Sequence, residues 1–152
     1  MLSKGDCVAE LAFQDAEGNL YALADFEGKR AVAIFFYPMD FSPGCTREVC
    51  HFRDHHQEMR DLGAEVFGVS RDSAESHAKF RAKHGLGFPL IADEDGSLAK
   101  AFGTGRLGGL LGNKRVTFVV KPDSEIIEAI HSELSMVAHV ECVIEVLKAL
   151  KE

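Results

Sequence analysis

The run Ala31-Val32-Ala33-Ile34-Phe35-Phe36-Tyr37 contains no charged or amide side chain, and Pro38 stops it. A strand apolar on both faces must be covered on both faces, so chain has to return above and below it. Shortly after it, Ser42-Pro43 reads as the cap and first residue of a helix that runs to Leu62 and ends before Gly63. A buried strand feeding directly into a long helix is therefore the unit around which the rest must pack.

The remaining pattern repeats that alternation. Glu65 to Ser70 reads as a second buried strand. A second helix opens at Asp72-Ser73-Ala74-Glu75, a cap with an acidic residue three positions on, and closes at Gly85. A short strand at Leu90-Ile91 and a short helix from Ser97 to Phe102 follow. Strands Val116 to Val120 and Glu125 to Ile130 flank the turn Pro122-Asp123-Ser124, and Ala138 to Leu150 reads as a terminal helix. Upstream, Leu11 to Phe13 and Leu20 to Ala22 surround Asp15, Gly18 and Asn19 as an N-terminal hairpin. This order predicts an α/β fold of thioredoxin-like type, with a central mixed sheet flanked by helices. Without an internal repeat or a Pro/Ser-rich linker, residues 1–152 read as a single domain.

Composition narrows the function. The four cysteines, Cys7, Cys45, Cys50 and Cys142, are too sparse for a secreted disulfide scaffold, and a 152-residue chain that is 46% hydrophobic needs no such staples. Reduced, reactive thiols in the cytoplasm are the expectation. The formal net charge of -7 argues against nucleic acid as a partner. The start lacks a signal-peptide apolar core and no apolar run is long enough for a membrane span, so no membrane role is expected.

Chemistry concentrates where the first buried strand meets the first long helix, in Tyr37-Pro38-Met39-Asp40-Phe41-Ser42-Pro43-Gly44-Cys45-Thr46-Arg47-Glu48-Val49-Cys50. Open α/β sheets gather ligands at such strand ends. Cys45 falls in the first helical turn, where unpaired N–H groups and the helix dipole favour a thiolate. Ionisation alone does little, however. Lowering a thiol pKa from about 8.5 to about 6 raises the thiolate fraction roughly thirtyfold, but the weaker nucleophile gives back roughly tenfold. A fast reaction therefore needs transition-state donors: Ser42, the N–H groups around Gly44 and Cys45, and an arginine.

Cys45 and Cys50 are five residues apart. On one α-helix that spacing separates their Cα atoms by about 8.7 Å and about 140°, whereas a disulfide needs roughly 4.4 to 6.8 Å. Joining them would require the helix to unwind in part, a conformational step tied to oxidation. The helical phase puts Cys45, Val49, Phe52, His56 and Met59 on an inward stripe, and Cys50, Asp54, Gln57 and Asp61 on the outward face.

The stretch "YPMDFSPGCTREVCHFRD" resembles the active-site segment of the PrxQ/bacterioferritin comigratory protein (BCP) subfamily of peroxiredoxins. The likeness continues through "LGAEVFGVSRDSAESHAKF", "FPLIADEDGSLAKAFG" and "KRVTFVV". It implies a thioredoxin-dependent peroxidase acting on hydrogen peroxide and organic hydroperoxides. In such an enzyme Cys45 is the peroxidatic thiol that becomes a sulfenic acid, Cys50 resolves it as an intramolecular disulfide, and thioredoxin or a similar dithiol reduces that bond. It also implies that Arg115 is the required arginine, that Pro38 shapes the pocket, that Glu48 orients an arginine from behind, and that the protein is a monomer. Some relatives carry the resolving cysteine in the next helix, but Ser73 to His84 holds none.

The chain departs from the subfamily pattern in places. Ser42 stands for the commoner Thr, and Met39 and Phe41 replace residues that are often polar, which points to apolar peroxides. Lys121 replaces a frequent Asp in a turn. Gly103-Thr104-Gly105-Arg106-Leu107-Gly108 fits a dinucleotide fingerprint by letter but follows a helix, so it reads as a loop. Cys50, His51, His55 and His56 lack the spacing of a zinc finger or ribbon, so no metal or other cofactor is expected. Cys7 and Cys142 read as a terminal thiol and a helix-packing residue, with a pairing between them left open. The competing reading is a protein disulfide oxidoreductase, against which the four-residue spacer counts, since such motifs are usually Cys-x-x-Cys.

Overall fold

The computed structural model describes residues 1–8, 10–26, 29–106 and 112–151. Its strands are β1 (Ala12–Gln14), β2 (Leu20–Ala22), β3 (Ala31–Phe36), β4 (Ala64–Ser70), β5 (Leu90–Ala92), β6 (Val116–Val120) and β7 (Ile126–His131). Its helices are α1 (Pro43–Asp61), α2 (Ala74–His84), α3 (Ser97–Phe102) and α4 (Met136–Lys151), and a short 3-10 turn covers Leu23–Phe26. β1 and β2 form the expected hairpin, and the other strands form one sheet in the order β5-β4-β3-β6-β7. β3, β4 and β5 run parallel, while β6 is antiparallel to β3 and β7 to β6. This is the mixed, thioredoxin-like sheet that the alternation predicts.

The apolar run is central because both its faces are used. Alanines 31 and 33 with Phe35 and Tyr37 share one cluster with Cys45, Val49, Phe52 and Met59 of α1, Phe80 of α2, and Val140, Val143 and Leu147 of α4. Val32, Ile34 and Phe36 share the opposite cluster with Leu98, Ala99 and Phe102 of α3 and Phe13 of the hairpin. Within the first cluster the rings of Phe35 and Phe52 stack 4.1 Å apart and nearly parallel, worth roughly 1 kcal/mol beyond their burial. Close packing at β4 requires a residue without Cβ at position 68, where a Cβ would sit 2.7 Å from Phe35 Cζ and 2.8 Å from Leu90 Cδ2.

Several boundaries move for identifiable reasons. The cap of α2 is Ser73, which accepts from Ser76 N–H, because the Asp72 carboxylate is taken by Asp40 N–H and the Ser70 hydroxyl. β7 starts one residue later than expected because Glu125 N–H bonds the Asp123 carboxylate and so belongs to the turn. Lys121 braces that same turn through Asp123 and Glu125. α4 starts earlier, at Met136, where the Ser135 hydroxyl accepts from Ala138 N–H. Among the described residues no helix is long and apolar enough to cross a membrane.

Candidate active site

Pro43 and Gly44 open α1, and Cys45 is its third residue, fully buried and with a free thiol. The first N–H groups of a helix have no partner within it. Ser42 occupies the cap position with extended backbone, yet its side chain caps nothing. Its hydroxyl donates instead to the Met39 carbonyl at 3.1 Å, which corrects the expectation of a serine cap and leaves the first-turn N–H groups for an incoming ligand. Only a rotation of that hydroxyl would let it donate to a substrate. Phe41, just before it, adopts the left-handed conformation (φ 66), a costly one for a bulky side chain.

Arg115 reaches this turn from the chain entering β6. Its guanidinium lies against Gly44 so closely that a Cβ there would be 2.9 Å from Nη2. The arginine side chain is only 11% exposed, and its Nη1 is 3.3 Å from Glu48 Oε1. The Glu133 carboxylate accepts from the Arg115 N–H and fixes the backbone behind it. Pro38 lies against the chain that leads to Arg115: a Cβ on Gly112 would meet its carbonyl oxygen at 3.3 Å, and Asn113 Nδ2 donates to the neighbouring Tyr37 carbonyl. Of the anticipated residues, Cys45 and Glu48 thus share the first turns of α1 with Arg115 laid against them, Ser42 occupies the cap position with its hydroxyl turned to Met39, and Pro38 is seen against Gly112.

Glu48 is fully buried one turn beyond Cys45. Burial pushes its carboxyl up to about 7, against the opposing pull of Arg115. Its other oxygen has no hydrogen-bond partner among the described residues and stands 3.5 Å from His139 Nε2. That nitrogen donates to the Ser132 carbonyl, while Nδ1 accepts from the Thr117 hydroxyl at 2.7 Å. These bonds suit a neutral ring, and burial holds His139 below the ordinary histidine range. The sequence reading missed His139 and Thr117, although His139 shares the buried stripe of α4 with Val143 and Leu147 at four-residue spacing.

Cys50 lies one and a half turns further along α1, half-buried and free. It faces a cleft of about 530 Å³ shared with Arg47, His51, Asp54, Leu134 and Val137. Both thiols sit in unbroken helix, the arrangement in which their union requires unwinding. Of the other candidates, His51 and His55 pack ring against ring, and His56 meets the edge of Phe88. Cys7 is exposed, Cys142 is half-buried on α4, and both are free. Gly103 ends α3 and Gly105 bridges to Asn113, as a loop would, whereas Leu107 and Gly108 lie outside the described residues.

A sulfur held where a helix favours negative charge, yet screened from bulk water, suits attack on a small electrophile better than a structural bridge. On a thioredoxin-like frame this defines a thiol-based redox enzyme. The chain belongs to the AhpC/TSA family, whose match spans residues 4–129. Peroxiredoxin Bcp of Bacillus subtilis is 35% identical over 153 residues, covering 97% of this chain and 96% of that protein. The crystal structure of peroxidoxin BcpB from Mycobacterium tuberculosis has a TM-score of 0.92 at 36% identity, with both chains covered completely. A structure of the Xanthomonas campestris bacterioferritin comigratory protein, described in terms of its alkyl peroxide reduction activity, has a TM-score of 0.87 at 31% identity, covering 99% of this chain and 100% of that one. These relatives put the chain on the Bcp/PrxQ side of the family.

Proposed function

We propose that this thiol peroxidase uses Cys45 as its attacking thiolate and Cys50 as its resolving thiol. The observation that carries the reading is the Arg115 guanidinium resting against Gly44, beside the sulfur-bearing turn. The Cys45 sulfur attacks one peroxide oxygen, the O–O bond breaks, and the departing alkoxide or hydroxide takes a proton to leave as alcohol or water. Arg115 and the first-turn N–H groups stabilise the charge moving onto that leaving oxygen. Cys50 then attacks the sulfenic sulfur and expels water, and an external dithiol, thioredoxin or a protein like it, returns both thiols. Pro38 keeps water from the sulfur, and Glu48 holds Arg115 across the pocket.

Hydrogen peroxide and organic hydroperoxides are the substrates, with the exposed Met39 and Phe41 at the rim favouring apolar ones. The whole chain acts as one domain and as a monomer in the cytoplasm, with no nucleic-acid or membrane partner, in keeping with its four free cysteines and acidic charge. The disulfide-oxidoreductase alternative draws no support from the relatives. Mass spectrometry after one equivalent of hydroperoxide tests the residue roles. The parent should yield a Cys45–Cys50 crosslink, and Cys50→Ser a sulfenic acid trapped on Cys45; oxidation confined to Cys7 or Cys142 would refute the reading.

A further inference from the structure

A second cluster of ionisable groups lies beside the active-site turn, and the peroxidase chemistry leaves it unused. Asp40, in the loop between β3 and α1, is buried, and its carboxylate takes three donors. The Tyr37 hydroxyl reaches Oδ1 at 2.6 Å, and the Ser76 hydroxyl and His77 Nδ1 reach Oδ2 at 2.8 and 2.7 Å. His77 is fully buried in the first half of α2. Its Nε2 is 2.9 Å from the Ile91 carbonyl, with the Ser70 hydroxyl further off at 3.4 Å. A carbonyl can only accept, and a carboxylate already holding two hydroxyl donors is best ionised. A ring carrying both protons satisfies both neighbours. Asp72 completes the group by accepting from Asp40 N–H and the Ser70 hydroxyl. Asp40, Asp72 and His77 bring their ligand atoms within 4.8 Å of one another, but those atoms are already engaged in these hydrogen bonds, so the cluster reads as a tether and not as a metal cage.

The tether holds an unfavourable piece of backbone. Phe41, the residue after Asp40, is in the left-handed region, and the next residue, Ser42, occupies the cap position just before α1. Without a strong anchor at position 40 the chain would relax Phe41 toward ordinary φ and carry Ser42 and the first helical turn with it. Breaking one partner of a buried ion pair is costly, so this anchor is stiff.

We propose that the buried Asp40–His77 pair is a positioning element of the peroxide pocket, pinning the loop from Met39 to Ser42 so that the first turn of α1 keeps its N–H groups aimed at the site of attack. The proposal rests on Cys45 being the attacking thiol. It makes the anchor matter for the first chemical step and not for the second, because condensation with Cys50 requires the first turns of α1 to loosen.

The test uses His77→Gln, which can donate to only one of the two acceptors in the ring's place, and Tyr37→Phe, a milder change that removes one donor from Asp40 with little change of shape. In variants shown by circular dichroism to be folded, rapid mixing separates sulfenate formation from disulfide formation. The expected result is a loss of about tenfold to a hundredfold in the rate of sulfenate formation for His77→Gln, the scale of a displacement of about 1 Å, and a smaller loss for Tyr37→Phe. Disulfide formation should be no slower. Ultraviolet titration of the Cys45 thiolate, with the other three cysteines replaced by serine, should move to higher pH in both variants. That second arm needs no peroxide, so it reads the anchor even if Cys45 proves not to be the attacking thiol. Unchanged oxidation rates and an unchanged thiolate titration in folded Tyr37→Phe would overturn the proposal, whether or not His77→Gln folds. Long-range nitrogen NMR showing a neutral His77 ring in the reduced protein would overturn it as well.

Discussion

Arg115 lies across Gly44, and the pocket has room for the guanidinium only because residue 44 has no side chain. Gly44→Ala should therefore act on chemistry more than on stability, since the obstructing atom is the end of a flexible side chain that can swing aside. The expected change is a fall of about tenfold or more in kcat/KM for hydroperoxide with only a small shift in Tm. Peroxidase kinetics and thermal melts of the same preparation decide it, and full activity in the alanine variant would show that the guanidinium is not needed where it lies.

Replacing the guanidinium itself should cost more. Arg115→Met removes the charged donor, and the expected loss in kcat/KM is on the order of a hundredfold to a thousandfold. Arg115→Lys should recover only part of it, because one ammonium cannot serve both Glu48 and the pocket as a planar fork does. Steady-state assays of the pair against the parent check the order of the three activities.

Glu48 sets a pH dependence whose sign follows from its environment. Its folded-state pKa, about 7, lies above that of an ordinary glutamate, so between those values the folded protein holds a proton that the unfolded chain has released. Its contribution to stability is therefore fully present at low pH and is lost as pH rises through about 7. His139 acts oppositely, since burial lowers its pKa and the unfolded chain takes up protons first as pH falls. Comparison with Glu48→Gln isolates the glutamate. The variant should gain Tm relative to the parent between about pH 5 and about pH 8, and parallel curves across that range would remove Glu48 as the titrating group.

Phe41 has a preference testable by substrate. It is exposed, meets the edge of Phe80 and lies beneath Lys83, while its backbone adopts a conformation that asparagine tolerates better. Phe41→Asn should keep activity toward hydrogen peroxide within a few-fold while lowering the activity ratio of cumene hydroperoxide to hydrogen peroxide severalfold, the scale of about 1 kcal/mol of lost apolar contact. An unchanged ratio would remove the ring from substrate selection.

Oxidation should leave a local structural trace. Because Cys45 and Cys50 belong to continuous helix, the disulfide form should lose amide protection over residues 44 to 50 while the strands keep theirs. Hydrogen exchange on reduced and oxidised protein checks this, and identical protection in both forms would contradict a Cys45–Cys50 bond.

The sequence made some of this legible and hid the rest for physical reasons. The apolar run announced β3 because residues buried on alternate faces leave no polar position, and the inward stripe of α1 correctly carried Cys45, Val49, Phe52 and Met59. Local capping misled, since Ser42 and Asp72 are good caps in isolation but here bond the Met39 carbonyl and Asp40 N–H. Arg115 came into view through likeness to a family. His139 and His77 stayed hidden because their partners, Thr117, Ser132, Asp40 and Ile91, lie 7 to 37 positions away in the chain, beyond the reach of any local periodicity.

The parallel stack of Phe52 on Phe35 sets a limit on how far α1 can unravel. Phe52 follows Cys50 by two residues and is locked to the central strand by its ring, so loosening that begins at Pro43 meets a fixed post just beyond the second thiol. On the proposed Cys45–Cys50 route, each cycle would melt and rebuild a bounded cuff of about two turns, while the remainder of the helix stays clamped as the template on which the cuff re-forms once the thiols are restored.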